Sequence, residues 1–171
     1  FQNAVVYKNI EIESKIENNI IYYIDPSAID RILNNLIENA IRFTPSGGKV
    51  SIALRKVNNS ISIIVKDNGI GITEEQQKHI FDKYYQVTTK KSNIQGIGMG
   101  LYIIKNIISS MGGRINLKSQ AGKGSNFEVI LPESSIKDTD FINNFIISRP
   151  LNYIPKKIEH TEKINVLKYL F

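Results

Sequence analysis

Residues 49–67 read "KVSIALRKVNNSISIIVKD", two runs of alternating apolar residues around Asn58-Asn59. A period of two is the side-chain period of a strand, and a short polar turn between two such runs predicts an antiparallel hairpin with one apolar face. That face has to be covered. The segment 27–43 can cover it, because Ile29, Leu33, Leu36, Ile37 and Ala40 fall on one side of a helix. Arg31, Asn35, Glu38, Asn39 and Arg42 fall on the other side.

The remaining elements are shorter. Residues 8–15 read as a half-buried strand with Ile10 and Ile12 inward, and 19–24, "NIIYYI", as a second short strand. Asp25-Pro26-Ser27 begins the helix and "TPSGG" ends it in a Pro/Gly turn. Thr73 followed by Glu74-Glu75 opens a short helix. Residues 81–95 show no period and read as a long loop, and "GIGMGL" leads into a helix over 101–111 that stops at Gly112-Gly113. Strands are expected at 114–119 and 125–132, joined by "QAGKG". Pro132 closes the expected domain, 1–132. Residues 133–171 carry the apolar patch "FINNFII", Pro150, Pro155 and a short basic amphipathic stretch, either a linker or an extension packed on the domain. The start at Phe1, without a cap or a Met, reads as a piece of a longer chain.

Composition excludes several classes. With no Cys among 171 residues there are no disulfides and no thiolate metal sites. No apolar run reaches the ~20 residues that span a bilayer. The formal charge of +6 is carried by scattered Lys residues rather than by one concentrated surface, so no nucleic-acid partner is expected. His79 and His160 lack neighbours that would make them catalytic.

The chemistry-bearing stretches are local. Asn is a poor helix former, because its amide competes for nearby backbone groups. Asn35 and Asn39 nevertheless sit one turn apart, beside Glu38 and Arg42. Neutral amide oxygens suit a hard cation such as Mg²⁺ that takes its other ligands from phosphate and water, and Arg42 suits a phosphate. The alternative is a solvated polar face. In "DNGIGI", Asp67 ends an apolar strand, and the glycines after it let backbone approach a flat ring whose exocyclic amine the carboxylate would accept. A plain Asp-Asn-Gly turn is the alternative. Gly96, Gly98 and Gly100 precede a helix directly, a junction that exposes N–H groups to an anion. The loop 82–95, with Lys83, Lys90 and Lys91, is either a lid or plain disorder. In "GKGSNF", Ser125 offers a hydroxyl behind a ligand, or the stretch is only a hairpin turn.

In order, "NLIENAIRFT", "DNGIGI", "IFDKYYQ", "GIGMGL" and "GKGSNFEVILP" resemble the N, G1, F, G2 and G3 boxes of the GHKL ATP-binding domain. They most closely resemble the catalytic domain of bacterial sensor histidine kinases, over about residues 5–132. The resemblance implies an α+β, two-layer α/β sandwich (the Bergerat fold), with a mixed, mostly antiparallel sheet backed by three helices. It implies ATP and Mg²⁺ as cofactors. Asn39, with Asn35 beside it, would hold the metal. Arg42, where the family usually has Lys, would contact phosphate, and Phe43 would lie near the nucleotide. Asp67 would take the adenine amine, in a pocket shaped by Gly69, Ile70, Gly71 and Ile72. Gly96, Ile97, Gly98, Met99, Gly100 and Leu101 would hinge the lid and present backbone to the phosphates, and Ser125 would line the rear. Phe81 would anchor the start of the lid. Gln86 stands where many relatives have Arg, which leaves Lys83 or Lys90, with Tyr84 beside them, for the lid side of the nucleotide. Glu38 matches the water-activating Glu of the ATPase branch.

The implied activity is that of a protein histidine kinase, passing the γ-phosphate to a histidine on a separate dimerisation domain in two-component signalling. A response-regulator receiver domain would be the next partner. The domain would be cytoplasmic, within a parent protein expected to be a membrane-anchored homodimer. The rivals are a GHKL ATPase, an anti-sigma-factor-type Ser/Thr kinase and a non-catalytic nucleotide-sensing module.

Overall fold

The computed structural model describes residues 2–17, 20, 26–87 and 97–132. The strand expected at 19–24, apart from the buried Ile20, the cap at Asp25, Lys90, Lys91, Gly96, His160 and all of 133–171 lie outside the described residues. In chain order the elements are α1 (Gln2–Lys8), β1 (Glu11–Ile16), α2 (Pro26–Phe43), β2 (Lys49–Val57), β3 (Ser60–Asp67), α3 (Glu74–Gln77), α4 (Gly100–Ser110), β4 (Arg114–Gln120) and β5 (Gly124–Pro132).

The hairpin forms as its alternation requires, with Val50 opposite Asp67 and Val57 opposite Ser60. β5 pairs antiparallel with the free side of β3, and β4 with β5. β1 runs parallel to β2 at the other edge, giving the order β1-β2-β3-β5-β4. Residues directly opposed across a ladder share a face. The register sets Ile52 against Val65, Leu54 against Ile63, Val65 against Phe127 and Ile63 against Val129. All of these are buried. α2 covers them with Ile29, Ile32, Leu33, Leu36, Ile37, Ala40 and Ile41, and α4 adds Ile104 and Ile108. Each large apolar side chain buried this way contributes roughly 1.5–3 kcal/mol relative to exposure. The result is an α+β sandwich with helices on one face of a mixed sheet. On the other face Glu128 accepts hydrogen bonds from Ser62 Oγ at 2.9 Å and Arg55 at 3.1 Å. The Ser62 bond, with Arg55 and Asn116, holds the Glu128 carboxyl below its usual pKa despite partial burial.

The N-terminal segment departs from the expectation of a strand over 8–15. The chain is helical to Lys8, turns through Asn9 at φ 48, and pairs only from Glu11. Ile10 is buried in the connection, where its N–H donates to Val5 O at 3.1 Å. α1, which comes in addition to the helices expected, leaves Val6 and Tyr7 80% and 90% exposed. It therefore lacks the apolar stripe by which a helix announces itself.

α1 is held by its last residue. Lys8 Nζ donates to the carbonyls of Ile41 (3.1 Å), Arg42 (2.8 Å) and Thr44 (3.0 Å). The last carbonyls of α2 have no intrahelical donor, and a cation there also opposes the helix dipole. Burial lowers the Lys8 pKa. At the other helix ends the sequence signals hold. Thr73 and Gln76 form a reciprocal capping box on α3, and Gly113 N–H closes α4 on Ile108 O at 2.9 Å.

Candidate functional site

The polar face of α2 does not look into open solvent. It walls a cleft of about 420 Å³, closed by the first turn of α4, the C-terminal end of β3, the start of β5 and the arm 80–87. From α2 the wall receives Arg31, Asn35, Glu38, Asn39, Arg42 and Phe43. Arg31, Asn35 and Asn39 are four residues apart, so each lies about 6 Å further along the axis.

Asn35 is oriented by its own helix. Its Nδ2 donates to Arg31 O at 2.8 Å, which leaves Oδ1 pointing outward. A Cβ placed on Gly100 would lie 2.3 Å from that oxygen, so a side chain there would push the Asn35 amide aside. One turn on, Arg42 donates to Glu38 Oε1 at 2.7 Å in an i,i+4 ion pair.

The opposite end of the cleft is apolar, with one acid. Asp67 is 7% exposed. Its Oδ1 accepts the N–H of Gly69 at 2.8 Å and of Ser125 at 3.2 Å. Among the described residues no donor reaches Oδ2, which is left to the cleft. Burial raises the Asp67 pKa, and the two N–H bonds offset this only in part. Ile70, Ile72 and Phe127 line the cleft with it. Gly71, at φ +66, passes so close to the β4–β5 turn that a Cβ would meet Gln120 O at 1.9 Å. The strip is tied by Ile70 N–H to Phe43 O at 3.2 Å and Gly122 N–H to Ile70 O at 2.7 Å.

Most residues singled out from the sequence come together here: Asn35, Glu38, Asn39, Arg42 and Phe43; Asp67, Ile70, Gly71 and Ile72; Ile97, Gly98, Met99, Gly100 and Leu101; and Ser125. Others do not. Gly69 lies behind Asp67, off the cleft surface. Lys83 Nζ sits 4.8 Å over the Tyr84 ring, Tyr84 is 59% exposed, and neither lines the cleft. Tyr84 instead acts through its backbone, whose N–H donates to Gly98 O at 3.0 Å and ties the arm to the start of α4. Arg31, Ile80, Tyr85, Val87, Ile103 and Phe127 line the cleft without having been singled out as site residues. For Arg31 the signal was available, since it shares a helix face with Asn35. The arm carries no period, so Tyr85 and Val87 left none. Phe81, read as the anchor of the arm, packs against the core with Lys105 Nζ 5.5 Å from its ring, while Ile80 faces the cleft. Among the described residues no three His, Cys, Asp or Glu side chains gather as a metal site. The side-chain amides that α2 presents to the cleft are those of Asn35 and Asn39.

A buried acid at an apolar end and amide, guanidinium and helix-start N–H groups at the other define a nucleotide-binding domain. The chain belongs to the family described as histidine kinase-, DNA gyrase B-, and HSP90-like ATPase, whose model matches residues 24–135. Within it, the chain is 41% identical over 109 residues to the alginate biosynthesis sensor protein KinB of Pseudomonas aeruginosa, covering 64% of this chain and 18% of that one. It is 36% identical over 138 residues to the sensor histidine kinase RppB of Synechocystis sp., covering 80% of this chain and 30% of that one. The chain thus spans less than a third of these relatives. Its fold resembles the catalytic domain of the histidine kinase ThkA, with TM-score 0.66, 27% identity and 78% and 85% of the two chains covered. It also resembles full-length ShkA in complex with AMPPNP, with TM-score 0.67, 25% identity and 76% and 27% covered.

Proposed function

We propose that this domain binds Mg·ATP in the cleft and, in its parent protein, donates the γ-phosphate to a histidine on a separate dimerisation domain. The observation that carries the reading is Asp67. It is buried, fixed through Oδ1 by two peptide N–H groups, and presents Oδ2 to a cleft with two amides on the facing helix. A purine with an exocyclic amine satisfies that oxygen. The complex of ShkA with an ATP analogue supports the same reading.

The ring enters between Ile70, Ile72 and Phe127, and the phosphates follow α2 toward its N-terminal half. Asn39 and Asn35 fit Mg²⁺, because amide oxygens add no negative charge beside a triphosphate. A magnesium ion held by these amides would supply positive charge against the phosphates. Arg42 turns from Glu38 to phosphate, and the N–H groups of residues 98–101 meet phosphate oxygens. In the transfer, an imidazole nitrogen attacks the γ-phosphorus in line, an N–P bond forms, the bridging P–O bond breaks and ADP leaves. The chain supplies placement and charge. The phosphate would pass next to a response-regulator receiver domain. We read residues 1–132 as the domain, in keeping with the end of β5 at Pro132, and 133–171 as an extension.

The test is titration of Mg·ATP against the chain and its Asp67→Asn and Asn39→Ala variants. A histidine-bearing helical hairpin from a relative is then supplied in trans with labelled ATP. Tight binding lost in both variants, with label on the hairpin, is the expected result. Equal affinity in all three proteins would leave a scaffold rather than a kinase domain.

A further inference from the structure

We infer that Arg31 is a γ-phosphate-contacting residue, and that it lets the cleft distinguish a nucleoside triphosphate from a diphosphate. The inference rests on the reading of the cleft as an ATP site.

Charge in the cleft is unevenly committed. Among the described residues lining it, the cations are Arg31 and Arg42 and the anions Glu38 and Asp67. Arg42 is engaged with Glu38 at 2.7 Å. Arg31 has no carboxylate within ion-pair distance among the described residues, and its side chain is exposed. Gln86, on the facing arm, is neutral, and Lys83 lies off the cleft over the Tyr84 ring. Arg31 is therefore the uncommitted positive charge that the described residues offer to phosphate.

Its place along α2 matches the far end of the ligand. Phe43 O is bonded to Ile70 N–H beside the Asp67 loop, so the C-terminal end of α2 marks the base. Arg31 lies three turns away, about 18 Å along the axis. Between them come Asn39 and then Asn35, whose Oδ1 abuts Gly100 where α4 starts. A triphosphate laid from Asp67 along this wall brings its last phosphate toward Asn35 and Gly100, and Arg31 reaches in from one turn beyond. A diphosphate ends short of it. A guanidinium suits this position, since it binds phosphate oxygens in pairs and stays charged.

The experiment is calorimetric titration of the 171-residue chain with Mg·ATP and with Mg·ADP, for wild type, Arg31→Gln and Arg31→Lys. Arg31 is exposed on its helix, so the variants should fold, and thermal melts check this. Arg31→Gln is expected to weaken ATP about ten-fold, the effect of removing one charge-assisted hydrogen bond, and ADP less than about two-fold. Arg31→Lys is expected to fall between. A variant that weakens both nucleotides equally, or neither, overturns the inference while leaving the ATP site standing. A wild-type chain that binds neither nucleotide overturns the ATP reading and this inference together.

Discussion

Asp67→Asn should separate the two things this side chain does. In the folded protein Oδ1 accepts N–H from Gly69 and Ser125, and an amide oxygen in its place accepts the same two bonds. The change therefore keeps the internal geometry, removes a buried charge, and replaces the cleft-facing Oδ2 by an N–H donor. Burial raises the Asp67 pKa. Between the ordinary aspartate value and the raised one, the folded protein holds a proton that the unfolded chain has released. Wild-type stability therefore falls as pH rises through that window and stays at the lower level above it. The variant has no such dependence, and at pH 7 its ligand-free stability should equal or exceed that of wild type. Binding should move the opposite way. A hydrogen bond to a charged acceptor is worth about 1.5–3 kcal/mol net, and a donor set against the adenine amine adds repulsion. At about 1.4 kcal/mol per decade, ATP should bind roughly 10–100-fold more weakly. In melts with ATP at about 100 times the wild-type Kd, wild type gains about 2.7 kcal/mol and the variant about 0.4–1.4. A variant that melts lower without ligand but is stabilised by ATP as strongly as wild type would refute the reasoning on both counts.

Three further perturbations follow from the same contacts. Gly100→Ala should change stability in urea unfolding by less than about 1 kcal/mol, because the new Cβ displaces only the end of the Asn35 side chain and alanine's better helix propensity offsets the lost Asn35–Arg31 bond; a loss above about 2 kcal/mol would show that the Asn35 amide cannot move. Lys8→Met should lower the denaturation midpoint by the equivalent of about 1.5–3 kcal/mol, since it strips the donor from two α2 carbonyls and from that of Thr44 just beyond; an unchanged midpoint would mean that water replaces it freely. Glu38→Gln should change stability by less than about 0.5 kcal/mol, as expected for an exposed i,i+4 pair. It should also tighten ATP binding a few-fold at low salt by releasing Arg42, a gain that fades in a salt series.

The elements with strong periodicity were legible in the sequence, and those held by distant contacts were not. The β2–β3 hairpin and α2 carry their period over several turns or pleats, and their observed bounds lie within a residue of the expected ones. The α2 face toward the cleft follows from the same period, which is why Asn35, Glu38, Asn39 and Arg42 could be grouped. α1 has no apolar stripe, and its anchor joins residues 33 to 36 positions apart. Asp67 is fixed by Ser125 N–H, 58 residues away, a bond that no local pattern encodes. The arm over the cleft positions Ile80, Tyr85 and Val87 by turns and by the Tyr84–Gly98 bond rather than by any repeat.

The strip beneath the apolar end of the cleft is knitted from peptide groups. Ile70 bonds Phe43, Gly122 bonds Ile70, and the single acid leans on two further N–H donors. Mutation can exchange the surrounding side chains without cutting any of these threads. Descendants of this domain can thus loosen or tighten their hold on a nucleotide while the kind of ring admitted remains a property of the main-chain path.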